Sequence, residues 1–133
     1  MLVRKNHPLE LIAKDRRPTM KECLEWKYIL IRGQPESGFK PFEITMPEAW
    51  QNRMITVKTP YFFSAAQMVK NSDLIFTCSR TLANEVSNKE EFAILELPLE
   101  CAHGFTPRLI WHERSHSDPA LQWLRSVIVS HAQ

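Results

Sequence analysis

The sequence predicts an α/β domain: a mixed, mostly parallel sheet flanked by helices. Three observations predict it. Residues 54–78, MITVKTPYFFSAAQMVKNSDLIFTC, read as strand, helix, strand, a unit that normally makes a crossover between parallel strands. Apolar runs too short for helices recur at residues 1–4, 27–31 and 92–99. Helix-start signals of the hydroxyl-cap or Asp-Pro type stand between and after them.

The elements follow in chain order. Residues 1–4 form a short apolar strand, which His7-Pro8 ends because the residue before proline avoids the α region. Residues 9–14 mix apolar and polar side chains with weak preference. Thr19-Met20-Lys21-Glu22 is a capping box, with Thr19 as N-cap and Glu22 at N3, and its helix ends near Trp26. Residues 27–31 (KYILI) are a buried-strand candidate. Residues 32–47 are irregular, punctuated by Gln34-Pro35, Ser37-Gly38, Lys40-Pro41 and Met46-Pro47. A loop of that length in a compact domain is often functional. Residues 47–52 suit a short helix.

The central unit comes next. Thr59-Pro60 reads as N-cap and N1, and Phe62, Ala65, Ala66 and Val69 recur at helical spacing behind it. Asn71-Ser72-Asp73 stops that helix, and residues 74–78 make a second strand. Residues 79–86 read as a helix capped by Ser79, and 92–99 as a strand. Residues 107–112 (PRLIWH) are a further strand. Asp118-Pro119 opens a last helix whose apolar face is Leu121, Leu124, Val127 and Ile128.

Composition bounds the function. The 133 residues suit one domain, and 44% hydrophobic with 24% charged residues is a globular composition. The net charge of +2 is scattered, which excludes a nucleic-acid-binding stripe. No run is long enough to span a membrane, and no signal-peptide core opens the chain. Three cysteines with no close pair read as reduced thiols of a cytoplasmic protein. Only three glycines are present, and nine prolines take over part of the turn-making.

Four features are candidates for chemistry. The first is the turn from Thr59 into the central helix, whose free N–H groups suit an anion or polar ligand group. Beside it Tyr61 and Phe62 offer rings for stacking, although Phe62 reads first as core. The second is His112-Glu113-Arg114-Ser115-His116, which matches H-E-x-x-H. Zinc hydrolysis needs both histidines on one helix face with a third ligand. A strand before and a new helix after contradict that context, and adding Cys101 and His103 fits no common zinc spacing. The third is Cys78, which packs in a strand pattern as an inert thiol. The fourth is the stretch with Phe42, Ile44, Met46 and Trp50, either a contact surface or an ordinary cover. No nucleophile–base pair and no phosphate loop stand out, so the chain reads as a non-enzyme with no cofactor.

Three segments in this order and spacing resemble the effector-binding domain of LysR-type transcriptional regulators. They are LVRKNHPL, RMITVKTPYFFSAAQMVKNSDLIFTCSRTLA and LIWHERSHSDPALQWLRSVI. The last is most similar to the branch of nodulation regulators and aromatic-compound sensors. The resemblance implies one lobe of a type 2 periplasmic-binding-protein-like fold. Residues 5–105 would be the second subdomain, 1–4 and 106–112 the hinge strands, and 113–133 the C-terminal segment and helix of the first subdomain. The family's DNA-binding helix-turn-helix and the first half of its effector domain have no counterpart in these residues. Direct nucleic-acid binding by this chain is therefore not expected.

The resemblance also implies a function. A small effector, aromatic or carboxylate, would lie between subdomains against Ile31, Arg32, Gly33, Gln34, Thr59, Pro60 and Tyr61. Association into a homo-oligomer is expected, with no membrane partner. Two other readings compete: a small zinc-dependent hydrolase through the HERSH run, and a remnant that only dimerises without binding ligand.

Overall fold

The computed structural model describes residues 1–31, 46–86, 88, 90–101 and 109–131. The chain divides into two compact units, Met1–His103 and Gly104–Gln133.

The first unit is built on a five-stranded sheet: β1 (Leu2–Arg4), β2 (Tyr28–Ile31), β3 (Ile55–Thr59), β4 (Ile75–Phe76) and β5 (Phe92–Ile94), in the order β3-β2-β4-β1-β5. β2 runs parallel to both β3 and β4, and β1 is antiparallel to β4 and β5. Only β1 opposes the common direction, so the sheet is mixed and mostly parallel, as the sequence predicts.

Strand alternation sorts the core into two faces. Val3, Tyr28 and Ile75 lie on the first, packed with Leu9 of α1 (Pro8–Asp15), Cys23 of α2 (Met20–Leu24) and Trp50 of α3 (Glu48–Gln51). Leu2, Ile29 and Phe76 lie on the second, against Ala65, Ala66 and Val69 of α4 (Phe62–Lys70) and Ala83 of α5 (Arg80–Val86). Both faces are covered, which is why β2 and β4 read as continuous apolar runs.

β3 breaks the alternation. Tyr28 pairs with Ile55, but Ile29 pairs with Val57. The extra residue, Thr56, is a bulge. It leaves Ile55 in the first core and turns Val57 into the second.

Several local expectations hold. The capping box is complete: Thr19 Oγ1 accepts from Glu22 N–H at 3.3 Å, and Glu22 accepts from Thr19 N–H at 2.8 Å. Arg16 and Thr19 together hold the Glu22 carboxyl down to about 2. Ser79 Oγ accepts from Leu82 N–H.

Others are corrected. Residues 9–14 are helical within α1, because buried His7 caps that helix: its Nδ1 accepts from Leu9 N–H at 3.1 Å. Asn6, at φ 60°, turns the chain from β1 into that cap. β5 stops at Ile94 rather than 99, and β4 is only Ile75–Phe76. Residues 109–112 are not a strand; residues 107 and 108 lie outside the described ones. Met46 and Trp50 are buried in the first core, so at these positions the segment is cover rather than contact surface. Phe42 and Ile44 lie outside the described residues.

The second unit holds a 3-10 turn (Glu113–Ser115) and α6 (Pro119–His131). Asp118 caps α6 by accepting from Ala120 and Leu121 N–H at 2.9 and 3.1 Å. Arg125 stacks over Trp111 and donates to the carbonyls of Ser115 and His116, which ties the turn to the helix. No described helix is long and apolar enough to cross a membrane.

Candidate functional site

The sequence-predicted residues that the structure describes converge at the carboxyl ends of β2 and β3. Ile31 and Thr59 are direct Cα partners in the last rung of that parallel ladder. Pro60 and Tyr61 follow at once and are exposed, Tyr61 by 68%. Arg32, Gly33 and Gln34 lie outside the described residues.

The cap of α4 differs from the sequence reading. Thr59 is still strand, because its backbone is engaged opposite Ile31. The helix therefore starts at Phe62, with Tyr61 in extended conformation as N-cap and no side-chain cap bond. Buried Thr59 contributes one step earlier: its Oγ1 accepts from Tyr61 N–H at 3.2 Å and shapes the turn. The first-turn N–H groups of α4 have no carbonyl four residues back. No acidic residue sits in that turn to offset the positive helix end.

Topology gives the place its character. After β2 the chain returns through α3 on the first face; after β3 it returns through α4 on the second. The two helices between these adjacent parallel strands and the strands that follow them, α3 and α4, thus lie on opposite faces of the sheet. Ligands of open α/β sheets bind in the crevice at such a switch point, outside the carboxyl ends of the strands.

The side chains there are aromatic and cationic. Tyr61, Phe62 and Phe63 are exposed by 68, 43 and 73%. Phe62 is thus a rim residue, its ring tilted 6.1 Å from Phe76, rather than the core filler that its spacing suggests. Exposed Lys58 stands on β3 just before the turn. Phe63 is the rim residue that sequence reasoning misses. The signal was present: a helix with Phe62, Ala65, Ala66 and Val69 inward leaves positions 61 and 63 outward. The arrangement can stack a planar ring and neutralise a carboxylate.

The HERSH run has a structural use. His112 Nδ1 accepts from Arg114 N–H at 3.1 Å and caps the 3-10 turn. His116 Nδ1 accepts from Trp111 Nε1–H at 3.2 Å, with the rings stacked. In each histidine Nδ1 is thus engaged within the turn. Among the described residues no three His, Cys, Asp or Glu side chains are grouped to hold an ion. The cysteines are free thiols. Burial pushes Cys23 up to about 12, Cys101 up to about 11, and Cys78 upward as well, away from thiolate reactivity.

No family model matches the chain, and no solved structure matches it. Curated proteins do. The HTH-type transcriptional regulator SyrM of Rhizobium etli is 29% identical over 133 residues, covering 97% of this chain and 37% of that protein. SyrM of Rhizobium meliloti is 24% identical over 131 residues, covering 98% and 39%. PhcA of Ralstonia nicotianae is 26% identical over 129 residues, covering 93% and 36%. The chain is similar, nearly end to end, to LysR-type transcriptional regulators. It spans little more than a third of the length of these relatives. The likeness supports a regulatory role and does not favour the hydrolase.

Proposed function

We propose that this chain is the ligand-sensing part of a LysR-type regulator and that a small aromatic or carboxylate effector lies at the β2–β3 switch point. The observation that carries the proposal is the last parallel rung, Ile31 with Thr59, between strands whose following helices lie on opposite faces, beside an uncapped helix start and three exposed rings. In this reading the sheet is one lobe of a type 2 periplasmic-binding-protein-like fold. β1, antiparallel between β4 and β5, suits a strand arriving from another lobe. Residues 5–105 form the second subdomain, 1–4 and 106–112 the hinge strands, and 113–133 a segment of the first subdomain. The effector acts by differential binding: it favours one closure of two lobes, and the attached DNA-binding domains follow. The working protein is a cytoplasmic homo-oligomer.

One lobe supplies one wall, so the chain alone binds weakly. Titrating salicylate into the labelled chain while following amide resonances tests this. The expected result is millimolar binding with shifts confined to Ile31 and Thr59–Phe63, weakened by Tyr61→Ala. Shifts elsewhere, or none, would remove the site; micromolar affinity would remove the claim that a second wall is needed.

A further inference from the structure

The sheet has two edges, and the fold treats them differently. β3 is blunted by its bulge at Thr56 and carries exposed Lys58, devices that discourage a further strand. β5 has neither. Its register with β1 is unbroken, Leu2 with Ile94, Val3 with Ala93 and Arg4 with Phe92. Met1 and Leu95 exchange both backbone bonds, and Lys5 N–H donates to Glu91 C=O. Glu91, Ala93 and Leu95 therefore face β1. By alternation, Ile94 directs its N–H and C=O, and Phe92 its C=O, away from the sheet. These groups border a groove of about 930 Å³, walled by Ala13, Lys14 and Pro18 on the α1 side and by Asn84 of α5 on the other.

We propose that this groove binds an extended peptide as a sixth strand, hydrogen-bonded to Ile94, at the sheet edge opposite the effector crevice. The walls choose the occupant. A strand lying between two helical layers is open to a single extended segment but is shielded from the equally walled edge of a second copy. Ala13, Pro18 and Ile94 suit aliphatic side chains. Lys5, Arg16 and Arg17 of the lining are ion-paired with Glu10, Glu22 and Glu96, whereas among the described residues neither Lys14 nor Asp15 makes an ion pair; with four cations in the lining against three carboxylates, the balance favours a carboxylate on the partner. The partner is an extended aliphatic peptide carrying acidic residues, held by backbone bonds with side chains alternating between the walls.

The probe is a soluble acetylated peptide of alternating valine and glutamate, titrated into the full chain by fluorescence anisotropy. Binding is expected, with Ile94 and Lys14 amides shifting in heteronuclear spectra. A peptide N-methylated on alternate residues, which leaves the protein untouched, is expected to bind about thirtyfold more weakly or not at all, since two bonds of about 1 kcal/mol are lost. Ile94→Pro removes the outward N–H, along with the Ile94 side chain that packs on the second core, and is expected to bind about fivefold more weakly for the one bond lost, with circular dichroism checking the fold. Equal binding of the N-methylated peptide, or no binding at 1 mM of either, overturns the proposal. So does a dimer in sedimentation whose protected edge is β5, which would make the occupant a second copy.

Discussion

Replacing His7 by alanine tests how the N-terminal strand is fastened to the sheet. The imidazole is fully buried and bonded on both sides. Nδ1 accepts from Leu9 N–H, so the ring proton sits on Nε2, which faces the Asp73 carbonyl at 3.3 Å. The ring also meets Trp26 edge-on at 4.5 Å. Loss of the cap costs about 1 kcal/mol. Loss of the part-buried bond to the Asp73 carbonyl adds about 1, and the lost ring contact with the cavity left behind adds roughly 1–2. The expected destabilisation is about 3–4 kcal/mol, read from urea melts followed by circular dichroism. His7→Asn keeps a cap acceptor and should lose about half as much. Burial lowers the His7 pKa in the folded chain. Its stabilising bonds are thus fully present above the ordinary histidine value of about 6.5 and disappear as pH falls through the lower folded value. The gap between wild type and His7→Ala must therefore shrink in acid. A loss under about 1 kcal/mol at neutral pH, or a gap that does not narrow in acid, would refute the reasoning.

Three further outcomes follow from the same packing. With a free amino terminus, burial lowers the Met1 ammonium to about 6 from 8.0, so stability should fall by roughly 3 kcal/mol as pH drops from above 8 to below 6; melts of the N-terminally acetylated chain should lack that slope. Trp50→Ala should cost about 3–5 kcal/mol, since the indole is fully buried and edge-on to Tyr28 at 5.3 Å; a smaller loss in urea melts would mean that α3 is a loose cover. Thr59→Val should cost about 1 kcal/mol by leaving Tyr61 N–H without its acceptor, and hydrogen exchange at Tyr61 should speed up while that at Ile29 stays slow.

Much of this was legible in the sequence where one force acts alone. Thr19 and Glu22 satisfy each other within four residues, so the capping box reads directly. The runs of β2 and β4 read as buried strands because both their faces are covered. The misses lie where two signals compete. Thr59-Pro60 carries a helix-start signature, but Thr59 is also the rung opposite Ile31, and ladder pairing outweighs a local cap. Residues 9–14 look indifferent because their cap is a histidine, whose imidazole substitutes for the usual hydroxyl or carboxylate. Phe62 fits the inward spacing of α4 yet stays 43% exposed, since it stands in the first turn beyond the end of the sheet.

The candidate site rests finally on one residue that no motif marks. Were β3 regular, Ile55, Val57 and Thr59 would all point to the face of Tyr28 and Trp50. Thr56 inserts an extra position, and Val57 and Thr59 turn instead toward the face of Ile29. Thr59 leads directly into α4, so α4 is delivered to that second face while α3 remains on the first. The strand order runs one way from β2 to β3 and back past β2 to β4, so right-handed crossovers place α3 and α4 on opposite faces; the bulge turns the last rungs of β3 toward the face that α4 covers. The same insertion blunts the β3 edge against a further strand, which leaves β5 as the open one. One added residue thus orients the strand end that leads into α4 and marks β3 as the edge less suited to a further strand.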